Sequence, residues 1–171
     1  IVEINKDRNQ PISVQLNNSK ITTSKLIREF PCSPIHNNTF SFADASPDFR
    51  RKLLDRSIFI ADDSFSSNWF SFYRSLKQRN SLLKKGATAE INAWNESFIK
   101  EGNSLSILRR NFFELTLLEF KNFMTLIEPK NVFNFFNDIN ISFFSGWDSD
   151  ERLKDTLDKN SDVDQYRKTT T

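Results

Sequence analysis

Residues Phe65 to Lys85 restrict the fold more than any other stretch. Phe65, Trp69, Phe72, Leu76 and Leu83 follow one another at spacings of four, three, four and seven. That is a period of about 3.5, which holds an apolar seam on one side of a helix. The seam is interrupted once, by the polar run Gln78-Arg79-Asn80, and Gly86 supplies a residue able to end the helix in the left-handed region. At about 1.5 Å per residue the helix spans roughly 30 Å. It is too long and too one-sided for an ordinary surface helix.

Past Gly86-Ala87-Thr88 the apolar pattern resumes at Ile91, Trp94, Phe98, Gly102, Leu105, Leu108 and Phe112. Folded back at the glycine, the two seams pair with index sums near 174. Leu83 then opposes Ile91, Leu76 opposes Phe98, Phe72 opposes Gly102 and Trp69 opposes Leu105. A large ring meeting a residue without a side chain is the complementarity a close-packed seam requires. Arg79 falls against Trp94 and Asn95, where the guanidinium can rest on the indole. The expectation is an antiparallel helical arm.

Around this arm the chain alternates differently. IVEI and ISVQL read as two short strands about the turn Lys6 to Gln10, with Asn17-Asn18 as the next turn. Thr22 or Thr23 caps a short helix running to Phe30, Pro31 and Pro34 force an extended crossing, and Thr39 to Ala43 is a further candidate strand. Ser46-Pro47-Asp48 opens a helix to Ile60: a hydroxyl cap, a proline at the first helical position and an acid at the positive end. The return helix runs from Ala89 to about Glu128, with a bend at Gly102 or a break near Glu114 to Thr116, and Pro129 stops it. Ile139 to Phe143 alternates like a strand, and Asp148 or Ser149 caps a last helix with Leu153 and Leu157 facing inward. The fold class is therefore α+β, with sheet elements flanking the arm. The expected division is 1–45, 46–128 (the arm) and 129–171.

With 171 residues and 37% apolar content, the chain has core enough for one domain. Its net charge of +2 says little, but the charge is unevenly placed. Arg50, Arg51, Lys52, Arg56, Arg74, Lys77, Arg79, Lys84 and Lys85 stand against Asp55, Asp62 and Asp63 between positions 50 and 85, whereas acids dominate from Asp148 onward. A basic arm points to a polyanionic partner. The single cysteine, Cys32, excludes an internal disulfide. No apolar run approaches the roughly 18 residues of a membrane span. A strand-like opening with neither signal peptide nor initiator Met is expected of an interior piece of a longer, soluble protein in a reducing compartment.

Chemistry-bearing motifs are few. Three glycines, Gly86, Gly102 and Gly146, can form neither a Walker A loop nor a dinucleotide fingerprint. His36 has no acid-plus-serine pair near it and reads as a turn or surface residue. Asp62-Asp63 reads as a solvated helix start, not a metal site. Trp69, Phe72, Trp94 and Phe98 could stack nucleic-acid bases, but at seam spacing they read as core. No catalytic, cofactor-binding or metal-binding residue is expected in the chain.

The blocks PDFRRKLLD and, about twenty residues later, SLKQRNSLLKK are similar to those of the RecF family of bacterial replication and repair ATPases. The resemblance extends to Trp94-Asn95, to Ser145-Gly146-Trp147, and to Asp164 with Thr170, and essentially the whole chain can be placed on it. The chain departs from the family pattern at Asn37-Asn38 and at Ala45. RecF proteins resemble the SMC and Rad50 group of ABC-type ATPases. The resemblance implies a partial ATPase head: residues 1–45 belong to the ATP-binding lobe, 46–128 form the arm, and 129–171 lead back to the head. ATP and Mg would be cofactors of the parent protein and not of this piece, which lacks Walker A, signature and Walker B. The parent would be a weak DNA-dependent ATPase of the cytoplasm, without membrane contact. It would act in recombinational gap repair, recombinase loading and the SOS response. The implied partners are double-stranded and gapped DNA, a second RecF copy and recombination mediator proteins.

Within this frame the candidate DNA contacts are Arg50, Arg51, Lys77, Arg79, Lys84 and Lys85. Arg50 and Arg51 stand near a helix start, where a cation opposes the macrodipole. Asp48–Lys52 and Arg51–Asp55 pairing at i, i+4 leaves Arg50 free. The lysines form a solvated face or a sequence-independent phosphate track. A rival reading is a non-enzymatic helical hairpin that binds protein, motivated by the near-neutral total charge and the aromatic seam.

Overall fold

The computed structural model describes residues 1–32, 45–127, 140–147 and 152–171, and the chain divides into two compact units, 1–63 and 64–171. In the first unit β1 (Val2–Asn5), β2 (Ser13–Leu16) and β3 (Ser19–Ile21) form an antiparallel sheet in sequential order. Val2 pairs with Leu16, and Val14 with both Ile4 and Ile21. β3 goes beyond the two expected strands. It follows from Asn17-Asn18, both at positive φ (49° and 65°), the geometry of a two-residue hairpin turn. Val14, at the centre of the middle strand, is the buried residue of the sheet.

α1 (Thr23–Glu29) starts where Thr22 Oγ1 accepts the Lys25 N–H, and α2 (Pro47–Ala61) where Ser46 Oγ accepts that of Phe49. The two helices pack together. Arg28 lays its guanidinium over the Phe59 ring at 4.6 Å and pairs with Asp63. The helix that opens at Ser46 thus packs with the N-terminal elements, whereas the sequence reading assigns it to the arm.

In the second unit α3 (Phe65–Lys85) and α4 (Thr88–Ile127) share the most extensive contact. Gly86, at φ 70°, turns the chain between them, and its N–H reaches the Leu82 and Leu83 carbonyls. Near this turn Leu82, Leu83 and Ile91 are buried, with Trp94 packed against them. Farther along, Phe98 is buried with Leu153 and Leu157, and Phe72, Leu76 and Trp147 close around it. The Phe72 and Phe98 rings lie 5.2 Å apart. Phe72 also faces Gly102, as the pairing requires: a Cβ at position 102 would stand 3.3 Å from its Cε2.

α4 runs 40 residues without a break at Gly102 or Glu114. At Thr116 the hydroxyl donates to the Phe112 carbonyl at 2.8 Å, satisfying itself within the helix. On the same register α3 ends opposite residue 109, and beyond that point α4 outruns its partner. Leu115, Leu118, Phe123 and Leu126 are accordingly exposed, Leu126 by 84%.

Residues 140–145 carry no strand ladder, so the strand expected at Ile139 to Phe143 does not form among the described residues. Phe143 instead sets its ring 5.8 Å from that of Phe113 on α4. Ser145 accepts from Ser106 and Arg110, both at 3.3 Å. α5 (Leu153–Lys159) and α6 (Ser161–Arg167) follow, meeting at Asn160. Leu153 and Leu157 face inward as expected, but the residue at the helix start is Arg152, whose N–H and Nε both donate to Asp155. The strand expected at Thr39 to Ala43, His36, and the caps expected at Asp148 or Ser149 lie outside the described residues.

Candidate nucleic-acid interface

α3 presents two unlike faces. Arg74, Lys77, Lys84 and Lys85 are exposed. Their spacings of three, seven and one place them along one side of the helix, over about 16 Å of its length. Among the described residues none of the four makes an ion pair. Arg74 was not among the expected contacts; its place on the helical period of Lys77 and Lys84 was the available signal.

In the first unit Arg50 and Arg51 are exposed on α2. Asp48 pairs with Lys52 at 2.8 Å, and Arg51 reaches back to the same carboxylate at 3.6 Å. The hydrogen bond from Lys52, then its charge and that of Arg51, hold the Asp48 carboxyl below its ordinary value. Arg50 makes no ion pair among the described residues and keeps its charge for solvent or a partner.

Arg79 behaves otherwise, and its expected role as a DNA contact is corrected here. It is 2% exposed, on the opposite side of α3 from Lys77. Its Nε donates to Asn95 Oδ1 at 2.7 Å, its Nη1 to Thr170 Oγ1 at 2.6 Å, and its Nη2 pairs with Asp164 Oδ2 at 2.8 Å. The expected stack on Trp94 is replaced. The indole packs on the Leu82–Ile91 cluster, and the guanidinium lies over the Phe98 ring, 6.0 Å from its centroid.

The neighbouring residues complete a clasp. Asn80 Oδ1 accepts the backbone N–H and the hydroxyl of Thr170, at 2.9 and 2.7 Å. Asp164 Oδ1 accepts the N–H and hydroxyl of Thr171, at 2.8 and 2.6 Å. Asp164 itself is 0% exposed. One buried guanidinium thus joins α3, α4, α6 and the residues after it. A cavity of about 230 Å³, lined by Asn92, Asn95, Asp158, Ser161 and Gln165, opens beside Arg79. Among the described residues no group of three or more His, Cys, Asp or Glu side chains is placed to hold a metal ion. Phe72, Trp94 and Phe98 belong to the helix packing, whereas Trp69 sets its ring 4.1 Å from that of Tyr73 on its own helix.

The second unit is an antiparallel pair of long helices with an exposed basic edge, in an α+β chain that also carries a small antiparallel sheet. The proteins it is similar to are RecF proteins. The chain is 32% identical over 148 residues to the DNA replication and repair protein RecF of Pseudoalteromonas translucida, covering 82% of this chain and 38% of that protein. To the RecF of Vibrio parahaemolyticus it is 27% identical over 166 residues, covering 96% and 45%. The fold matches a solved structure of the recombination mediator protein RecF of the RecFOR pathway, with a TM-score of 0.74, 20% identity, and coverage of 99% of this chain and 48% of the other. A second structure, RecF with ATP, matches equally. No family model matches the chain. In sequence and fold the chain is RecF-like over nearly its whole length, and it spans less than half the length of the relatives it matches. Among the described residues no helix is long and apolar enough to cross a membrane.

Proposed function

We propose that this chain is the arm-bearing part of a RecF-type DNA replication and repair protein that binds DNA in an ATP-dependent manner in the cytoplasm. The observation that carries the reading is similarity to RecF over 82–96% of the chain in these two relatives. The basic stripe on α3 supports it by offering a phosphate backbone a row of cations that make no ion pair among the described residues. ATP and Mg would be held by parts of the parent not represented here, a reading supported by the lack of a Walker A loop in this sequence. A recombination-mediating role at gapped DNA, self-association, and a place in the SOS response belong to the same reading. Its residues are Lys77, Lys84 and Lys85, joined by Arg74, on α3, and Arg50 and Arg51 on α2.

The test is the salt dependence of duplex-DNA affinity between about 50 and 200 mM salt, with ATP present. Each phosphate contact contributes about 0.9 to the slope of log affinity against log salt. Changing Lys77, Lys84 and Lys85 together to Ala should lower that slope by about 2.7 and weaken all sequences alike. An unchanged slope removes the stripe from the interface. A second reading, a protein-binding helical hairpin, is favoured by one observation: Leu115, Leu118, Phe123 and Leu126 of α4 face solvent. It predicts no measurable DNA binding in the parent protein.

A further inference from the structure

We infer that Arg79, Asn80 and Asp164 are positioning residues that pin the register of α6 and of Thr170 and Thr171 on the helix pair. A buried ion pair is weak evidence of a stabilising role. Desolvating both ions offsets most of their attraction, and apolar replacements of similar volume are often as stable. What such a pair does supply is discrimination between alternative packings.

Here the alternatives can be enumerated. α5 and α6 have seven residues each, and of α6 only Asp164 is buried. Apolar contacts alone therefore fix α6 weakly. A slip of α6 by one turn toward its N-terminus would bring Arg167 or Lys168 to Arg79, cation against cation. A slip the other way would bring Ser161 or Asn160, leaving the guanidinium buried without a counter-charge. Only the observed register satisfies it. The same register delivers the backbone N–H of Thr170 to Asn80 and that of Thr171 to Asp164. Two consecutive amides are thus held by side chains and not by helix or sheet. Lys168, at φ 55°, makes the left-handed turn that presents them.

The inference is independent of the DNA reading, and its experiment needs no DNA. Amide hydrogen exchange at Thr170 and Thr171 reports the clasp, while amides in the middle of α3 and α4 report the fold. In the full chain, Asn80→Ala should accelerate exchange at Thr170 roughly tenfold, as expected for one lost hydrogen bond, without changing the α3 and α4 amides. The double variant Arg79→Met, Asp164→Leu should unfold within about 3 °C of the parent, since the pair is replaced by apolar groups. It should nonetheless lose protection at both threonines. Retained protection in either variant overturns the inference. So does loss of folding in the double variant, which would make the pair a source of stability and not of register.

Discussion

Gly102 offers the sharpest test of the helix pairing. A Cβ there would lie 2.7 Å from Leu153 Cδ2 and 3.3 Å from Phe72 Cε2. Neither neighbour is free to move. Leu153 is buried against Phe98 and Leu157, and the Phe72 ring is held by that of Phe98. Replacing a mid-helix glycine by alanine gains about 0.8–1.0 kcal/mol of helix propensity. Forcing an extra methyl into a filled core costs about 1–3 kcal/mol. With the midpoint of that range, Gly102→Ala should destabilise the chain by about 1 kcal/mol net. Leu153→Ala costs about 2–5 kcal/mol by itself, but it removes the nearer obstacle. In that background Gly102→Ala should become stabilising, by up to about 1 kcal/mol. The assay is a double-mutant cycle from urea unfolding midpoints, with the m-value checked for constancy. If Gly102→Ala has the same effect in both backgrounds, or stabilises the parent outright, α5 does not pack on α4 at this point.

Lys77→Ala should leave the urea midpoint within about 0.5 kcal/mol and lower the salt slope of DNA binding by about 0.9. Arg79→Ala should do the reverse: stranding Asp164 as an unpaired buried charge costs about 3–5 kcal/mol, and the two measurements on the two variants check it. Ser46→Ala removes the α2 cap and should cost about 1 kcal/mol, whereas Gly86→Ala meets no atom within 4 Å yet holds φ at 70°, a strain of about 1–2 kcal/mol; thermal unfolding checks both. On acidification, Asp48 and Asp155 are the carboxyls to follow. The hydrogen bond from Lys52 lowers the first and that from Arg152 the second, each below 3.8. Because the folded values are depressed, their stabilisation is complete at neutral pH and is lost as pH falls below 3.8 and through the lowered values. A carboxyl-carbon NMR titration should place both midpoints below 3.8, and Lys52→Met should return Asp48 toward it.

The seam was legible because its signals are local and mutually consistent. Five apolar residues at one period, a glycine able to turn, and a second seam of matching spacing leave one way to fold. The opposition of Phe72 and Gly102 followed from the fold-back register at Gly86, and the match of large ring to missing side chain agreed with it. Ser46-Pro47-Asp48 marked a helix start because each residue suits its position for a different reason. Ser19–Ile21 was missed because three residues with one apolar side chain carry no alternation to detect. The turn before them, Asn17-Asn18, was the better clue, since asparagine tolerates the positive φ a tight hairpin needs. At Glu114 to Thr116 the polar residues suggested a break. No core face is required there once α3 has ended, and polar residues cost an exposed helix little. The partner of Arg79 was not legible by periodicity. A cation set into an apolar seam announces that a counter-charge must exist, but not which distant acid supplies it.

That distinction changes how the run Leu76-Lys77-Gln78-Arg79-Asn80 is understood. On a helix, residues two apart point about 200° away from each other. A basic run on a long arm is therefore never one surface. Leu76 packs against the Phe98 cluster, Lys77 faces solvent, and Arg79 and Asn80 grip the C-terminal segment. Four of these five residues thus divide between a core, a solvent face and the contacts to Asp164 and Thr170. Counting the block's cations as a single DNA-binding patch overstates its charge by one. The same geometry ties the separate resemblances together. Arg79 and Asn80 meet Asp164 and Thr170, and Trp147 closes on the Phe98 cluster to which Leu76 belongs. Residues far apart in sequence, at the positions that carry the resemblance to RecF, thus meet in one structure on the buried side of α3.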